Sequence, residues 1–396
     1  MKFGTFYEHQ LPRPWKEGQE VKLFQQALDQ VELADRLGID HMWEVEHHFL
    51  EEYAHSSAPE IFLAACSQRT KQIRLGHGIT LLPPAYNHPA RVAERIATLD
   101  IVSNGRVEFG TGESSAELEL GGFLIPRADK REMWRESLGA ITRMFTEDPF
   151  QGHEGKYFKM PVRNVVPKPV QKPHPPLWVA CSRRETIHLA AELGIGALSF
   201  AFVSPEEARQ WVNDYYTTLA DCVPIGAAIN PNIAIVTGFM CDNDAERAKM
   251  AGVEGLKFFF YALGHHYVFG RHEPGKTDIW KNFKANPITM PGMESVNACV
   301  GTPDQLRKTL RDYEEAGVDQ VIFVSQAGNN KHEDICSSLN LFAEKVMPEF
   351  KEREEKRAKA KAERMAPILE KAMKRKPAPK IPPHEEPFIV QAGMLP

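Results

Sequence analysis

Residues 73–112 read IRLGHGITLLPPAYNHPARVAERIATLDIVSNGRVEFGTG, and the order of patterns within them decides the fold. Ile73–Leu82 is an apolar run interrupted only by small or single polar residues, stopped by Pro83-Pro84, as a buried strand would be. His88–Val102 then has helical spacing, and Val107–Thr111 returns to a short apolar strand. Outward from this unit the same alternation repeats. Upstream lie a strand over Lys2–Tyr7 and a helix over Val21–Leu37. In that helix Phe24, Ala27, Leu28, Val31 and Ala34 recur at helical spacing before Gly38 ends it. A second strand, His41–Phe49, precedes a helix around Pro59–Arg69. Downstream come a helix near Asp129–Phe145, the pairs Leu177–Ala180 with Arg184–Leu193 and Ala197–Phe200 with Pro205–Leu219, and Ile233–Phe239 with a helix from Asp244. Gln320–Val324 with His332–Val346 completes eight units. Eight strand–helix units predict an α/β fold, a closed (β/α)8 TIM barrel. An open doubly wound sheet is the alternative, but no GxGxxG joins the first strand to its helix.

Three segments depart from the period. Residues 150–176 are rich in proline, lack helical spacing and read as a β-hairpin insertion before the fifth strand. Residues 261–300 precede a clear helix start at Thr302-Pro303-Asp304 and read as a lid insertion. The barrel is expected over 1–350, followed over 351–396 by a charged helix and an extended tail. Lys351–Lys376 holds eleven basic and five acidic residues, with Glu352–Lys356 and Glu355–Lys359 at i,i+4 spacing, a pattern that suits a solvated helix.

A net charge of −5 provides no basic field for nucleic acid. No window approaches the eighteen apolar residues of a membrane span, and the first residues lack the pattern of a signal peptide, so a cytoplasmic protein is expected. The six cysteines have no CxxC spacing and are expected to be free thiols.

Barrel active sites lie at the carboxyl ends of the strands. The second strand ends in Glu44-Val45-Glu46-His47-His48-Phe49. One histidine there would carry a proton while a carboxylate fixes its tautomer. Strand alternation sets His47 opposite Glu46 and His48. Histidines in such places also serve merely to satisfy backbone groups. His47, His48, His55, His77 and His88 raise a metal reading, but the first strand offers no HxH pair and no metal site is expected. The glycines of Gly76-His77-Gly78-Ile79 and Phe109-Gly110-Thr111-Gly112 permit close approach of backbone or of a flat ligand, or simply tight packing. At Cys181-Ser182-Arg183-Arg184 a helix starts, and amides, hydroxyl and charge there suit a phosphate; Ser182 as a plain N-cap is the alternative.

Met1-Lys2-Phe3-Gly4, Glu46-His47-His48-Phe49, Leu82-Pro83, Asn104-Gly105-Arg106 leading into Phe109-Gly110, and Val346-Met347-Pro348 occur in order, and together they resemble bacterial luciferase and its flavin-dependent monooxygenase relatives. The resemblance runs over roughly residues 1–350. It implies reduced FMN as co-substrate, supplied by a separate flavin reductase, and O2, with a small organic substrate oxygenated through a flavin hydroperoxide. It implies His47 as the catalytic residue. It implies cofactor contacts from Gly78 and Ile79 (joined by a cis peptide), from Ser182 with its neighbour Cys181, and from Phe200. Gly110, Thr111, Arg183 and Arg184, at the rim, join the expected cofactor contacts, and a homodimer or higher homo-oligomer is expected. Two departures stand out. Glu113 replaces a phosphate-binding arginine, which shifts that role to Arg183 and Arg184, and Gly112 replaces a cysteine. A deazaflavin-dependent hydride-transfer enzyme and a non-catalytic flavin-binding protein are the alternatives on the same barrel.

Overall fold

Eight parallel strands close on themselves in the structure, a computed structural model that describes residues 1–286, 298–384 and 389–390. The strands are β1 (Lys2–Tyr7), β2 (His41–Glu44), β3 (Arg74–His77), β4 (Val107–Gly112), β5 (Leu177–Cys181), β6 (Gly196–Ser199), β7 (Ile233–Cys241) and β8 (Gln320–Val324). Neighbours in sequence are neighbours in space. Closure comes where Lys2 of β1 stands opposite Gln320 of β8, so no edge is left unpaired. This is the expected TIM barrel.

Helices α1 (Gln19–Leu37), α2 (Pro59–Arg69), α3 (Pro89–Val102), α4 (Lys130–Thr146), α5 (Arg184–Glu192) and α6 (Pro205–Leu219) follow the first six strands. In α1 the stripe Ala27, Val31 and Ala34 is buried, and Gly38 ends the helix at φ 84°, its N–H returning to Ala34 and Asp35 carbonyls. The axis of the barrel is filled by Phe6, Trp43, Trp178, Leu198, Val236, Ile322 and Val324. The two tryptophans meet edge-on, ring centroids 5.5 Å apart. They fit because two strand residues lack side chains: a Cβ on Gly76 would lie 2.2 Å from the Trp43 ring, and one on Gly196 would lie 2.4 Å from Trp178. Gly76 therefore serves internal packing, not a ligand.

The second strand stops at Glu44, five residues short of the expectation, and Phe49 takes a left-handed conformation at φ 65°. The third strand breaks at Gly78–Ile79 and resumes as Thr80–Leu81 against β4. The 150–176 insertion contains the expected hairpin, with His153–Glu154 antiparallel to Lys159–Met160.

The insertion after β7 begins earlier than its sequence suggests. The helix after β7, α7 (Ala245–Gly264), does not return along the barrel wall. Its Leu256, Phe258, Phe259 and Ala262 join the axial cluster at the carboxyl end of the barrel. It crosses the chain after β8 closely, since a Cβ on Gly255 would lie 2.2 Å from the Ala327 carbonyl oxygen. A π-helical turn, His265–Phe269, and a short helix, Ile279–Ala285, continue the insertion. Part of the expected insertion, 287–297, lies outside the described residues. The wall helix of the seventh unit is instead α8 (Pro303–Glu315), started by the Thr302 hydroxyl and Gln305.

After β8 come α9 (His332–Lys345) and α10 (Met347–Met373). Most of Lys351–Lys376 is exposed or half-buried, as a solvated helix would be, but Met365 and Ala372 are buried and anchor α10 to the barrel. No helix among the described residues is long and apolar enough to cross a membrane.

Candidate active site

The residues that project past the ends of β1, β2 and β4 meet in one place. Glu8 follows β1, His47 lies in the loop after β2, and Glu119 comes from a short helix, Glu117–Gly122, beyond β4. His47 Nδ1 is 2.8 Å from Glu119 Oε1, and its Nε2 is 3.6 Å from Glu8 Oε2. Glu119 is fixed further by the backbone N–H of His48 at 2.9 Å and by the Ser114 hydroxyl. The Tyr53 hydroxyl donates to Glu8 Oε1 at 2.9 Å.

Burial opposes a charge on His47, yet the two carboxylates overcome it and lift its pKa to about 9. Burial pushes Glu8 up to about 7, against the pull of His47 and Tyr53. Glu119 is buried too, but its bonds to His47, Ser114 and His48 hold it below the ordinary carboxylate range. At neutral pH the site therefore contains an imidazolium, a firm carboxylate on one side and a carboxyl group near its own midpoint on the other.

The remaining acid and histidine of the EHHF sequence face elsewhere. His48 Nε2 lies 3.1 Å from Glu46, which also accepts from the Leu81 and Asn87 nitrogens and so fixes the segment after β3.

Several expected contacts are redirected. Among the described residues the cis peptides all precede proline, at residues 14, 149, 167 and 173, so the Gly78–Ile79 bond is trans. The strand bulges without isomerisation, because Gly78 N–H donates to Glu44 O at 2.6 Å while Ile79 O accepts from Glu46 N at 3.1 Å. Gly110 makes room for this bulge: a Cβ there would lie 1.9 Å from the His77 carbonyl oxygen. Thr111 points into the wall, donating to Trp178 O and accepting from Trp134 Nε1. Cys181 also faces the wall, its thiol against the Val179 and Thr186 carbonyls and pushed up to about 12 by burial. Arg184 is drawn elsewhere: its guanidinium forms a two-pronged pair with Asp214 of α6 on the outer surface. Ser182 and Arg183 remain exposed at the start of α5. Phe200 lies on the axial cluster, 5.3 Å from Phe6, with Ile79 in the same cluster.

The model of the luciferase-like monooxygenase family matches residues 1–320. The chain belongs to that family. The 4-hydroxyprotoasukamycin monooxygenase of Streptomyces nodosus subsp. asukaensis is 33% identical, over 82% of this chain and 86% of that protein. The oxygenase component of the flavin-dependent trigonelline monooxygenase of Acinetobacter baylyi is 24% identical, over 89% of this chain and 96% of that protein. In structure, the oxygenating constituent of 3,6-diketocamphane monooxygenase from Pseudomonas putida, a type II Baeyer-Villiger monooxygenase solved with FMN, superposes with TM-score 0.70. It is 22% identical, covering 88% of this chain and 98% of that one.

Two features of this luciferase-like monooxygenase suit a flat ligand with polar edges. Ile79, Leu118, Phe200 and Tyr267 rest on the axial core yet stay half-buried, leaving apolar surface at the mouth. Glu8 Oε2 is buried without a hydrogen bond, since 3.6 Å to His47 is too long for one. Cavities of about 760 and 350 Å³ open instead at the opposite end, the first beneath α10 and the second around His41, Arg74, Glu108 and Trp178. Barrel bottoms serve stability, and the titratable cluster at the mouth outweighs them as a candidate site.

The Glu113 departure also finds its counterpart. Lys130 Nζ lies 2.9 Å from Glu113 and Arg131 lies 3.1 Å from it, both from the first turn of α4. The Arg131 charge reaches Cys181, next to Ser182. Sequence reasoning missed Glu8, Tyr53, Glu119, Lys130 and Arg131. Glu8 alone carried a signal, as an acid directly after a barrel strand.

Proposed function

We propose that the chain is the oxygenase of a two-component flavin-dependent monooxygenase, which takes reduced FMN from a separate reductase and transfers one atom of O2 to a small organic substrate. The observation that carries this reading is His47, held cationic between Glu119 and Glu8 at the mouth of a luciferase-like barrel. The names of the relatives support the flavin and the oxygenase role, and the FMN in the superposed structure supports the choice of flavin.

Reduced FMN, when bound, supplies the two electrons that bring one oxygen atom to water while the other goes to the substrate. The chain's own groups do the rest. Ser182, Arg183 and the amides opening α5 would receive the phosphate, with Arg131 close by. Ile79 and Phe200 would support the ring. His47 Nδ1 is tied to Glu119, so Nε2 is the nitrogen that presents a proton to the site. Glu8, near its midpoint at neutral pH, can return that proton. The buried aromatics of α7 keep water from the mouth.

Oxygen consumption and product formation with reduced FMN, over a panel of small aldehydes, ketones and heteroaromatics, test the assignment. His47→Asn is expected to lower kcat/KM by about 10²–10⁴-fold while reduced FMN still binds. Turnover with reduced deazaflavin alone would replace the oxygenase reading by hydride transfer. Flavin binding without turnover on any substrate would favour a binding protein. Unchanged activity in His47→Asn would remove His47 from the chemistry.

A further inference from the structure

The lid contains a group of histidines that the oxygenase reading does not use. His265 and His266 lie on the π-helical turn, and His272 lies in the loop that follows. One ring nitrogen from each falls within 4.8 Å of the others. His265 Nε2 and His272 Nδ1 are 3.3 Å apart. A tetrahedral zinc with bonds of about 2.0–2.1 Å separates its ligands by about 3.3 Å, so this pair already has the spacing that one ion requires. The opposite nitrogen of His272, Nε2, lies 3.2 Å from Glu51 Oε1, and the His272 side chain is 7% exposed. A carboxylate on the far nitrogen is the usual support for a metal-bound imidazole, since it fixes the tautomer that leaves the near nitrogen free to bind. Glu51 is itself held by the Gly275 amide at 2.7 Å and by Arg13 at 2.7 Å.

A proton shared between His265 and His272 would account for that pair, but not for His266. Both of its ring nitrogens are buried, and the Leu50 backbone offers them only a hydrogen bond of poor geometry. Burying imidazole nitrogens unpaired is costly, and a metal would satisfy one of them. Interruptions of helical geometry by a π-turn also concentrate at functional sites.

We infer that His265, His266 and His272 bind one divalent transition metal of the zinc class, with Glu51 orienting His272. The sequence raises a metal only on other histidines and leads to the expectation of none; His265, His266 and His272 are not among those histidines. The ion would fasten the lid to the turn after β2, since Glu51 opens the turn Glu51–Tyr53. The Tyr53 ring lies 6.2 Å from His266 on one side and 5.6 Å from His47 on the other. Tyr267, next to the ligands, lies 6.5 Å from His47. The site would therefore set the roof over His47 without touching the reacting groups.

Cobalt titration of the full chain, stripped with chelator, reads the site directly. One Co²⁺ per chain should develop the visible absorption of a low-coordinate nitrogen site, and Zn²⁺ should displace it. His266→Ala and His272→Asn should each abolish that absorption, and Glu51→Gln should weaken Zn²⁺ by about 10–100-fold. His188→Ala, a histidine beside Asp214 on the outer wall, should bind as the parent does. Thermal midpoints measured in chelator show whether each variant is folded. Absence of a stoichiometric cobalt spectrum in the parent overturns the inference, as does a folded His266 variant that binds like the parent. Neither outcome bears on whether the barrel uses flavin.

Discussion

His47 keeps its proton because two carboxylates outweigh the cost of burying a cation, and that balance has a consequence for stability. Its pKa of about 9 in the fold exceeds the ~6.5 of a free imidazole, so folding takes up a proton between those values. The stabilisation is complete below about pH 6.5 and is lost as pH rises through about 9. Glu8 acts in the same sense lower down, since burial raises it from the ordinary carboxylate value to about 7. Glu119 acts oppositely, because a depressed carboxylate contributes above its ordinary pKa and loses that contribution on acidification. Denaturant unfolding at a series of pH values isolates the histidine. Between pH 6.5 and 9 the parent should lose more stability than His47→Asn, by on the order of 2 kcal/mol at about 1.4 kcal/mol per pKa unit. Parallel pH profiles for the two proteins would mean that His47 is not the group titrating there.

Among the elements, the first turns of α4 and α5 both present arginines, where the sequence pointed to α5 alone. The pair Arg183-Arg184 looks like a unit in sequence, but helical geometry sends Arg184 to Asp214 on α6 and leaves Arg183 at the helix start. Arg131 comes from another turn altogether, beside Glu113. We expect Arg131→Ala to weaken FMN more than riboflavin, which lacks the phosphate, whereas Arg184→Ala should leave both affinities unchanged. Fluorescence titration with the two flavins reads this, and a selective FMN loss in Arg184→Ala would reverse the assignment. The same contrast shows what was legible. Strand and helix periods lie in local sequence, so all eight strands could be read, as could the strand-end histidines. Glu119 could not, because it lies in a short acidic helix and meets His47 only after the barrel brings the ends of β2 and β4 together. The start of the insertion after β7 was misplaced for a related reason. A helix after β7 was expected, and α7 took that place in the reading. Its Phe258-Phe259-Phe260 run, apolar around the helix rather than along one stripe, marks a helix covered on several sides.

At the scale of the whole molecule, the barrel closes where β7, β8 and β1 come together, and α10 lies across the amino end of that seam. Asp319, just before β8, accepts from the Ile233 amide at 2.9 Å and from the Tyr216 hydroxyl at 2.6 Å. Lys361 of α10 completes the set, 2.5 Å from Asp319 and 2.6 Å from Asn232. Arg353 and Arg357 pair with Glu314 at the end of α8, and Met365 is 3% exposed. Several of the charges that suggested a solvated helix are thus spent on the barrel. We propose that residues 351–376 are a stabilising part of the barrel and not a separate appendage. A chain ending at Phe350 would expose Met365's contact surface and leave Asp319 without its cation. Burial of one such methionine contributes about 1.5–3 kcal/mol, and the lost ion pairs add to it. For a barrel of this size that predicts a fall in Tm on the order of 5 °C or more. FMN affinity should change little, since His47, Ser182 and Phe200 lie at the opposite end. Differential scanning calorimetry of the full and shortened chains decides it: an unchanged Tm makes α10 dispensable, and a lost flavin site with an unchanged Tm would place its role at the mouth instead.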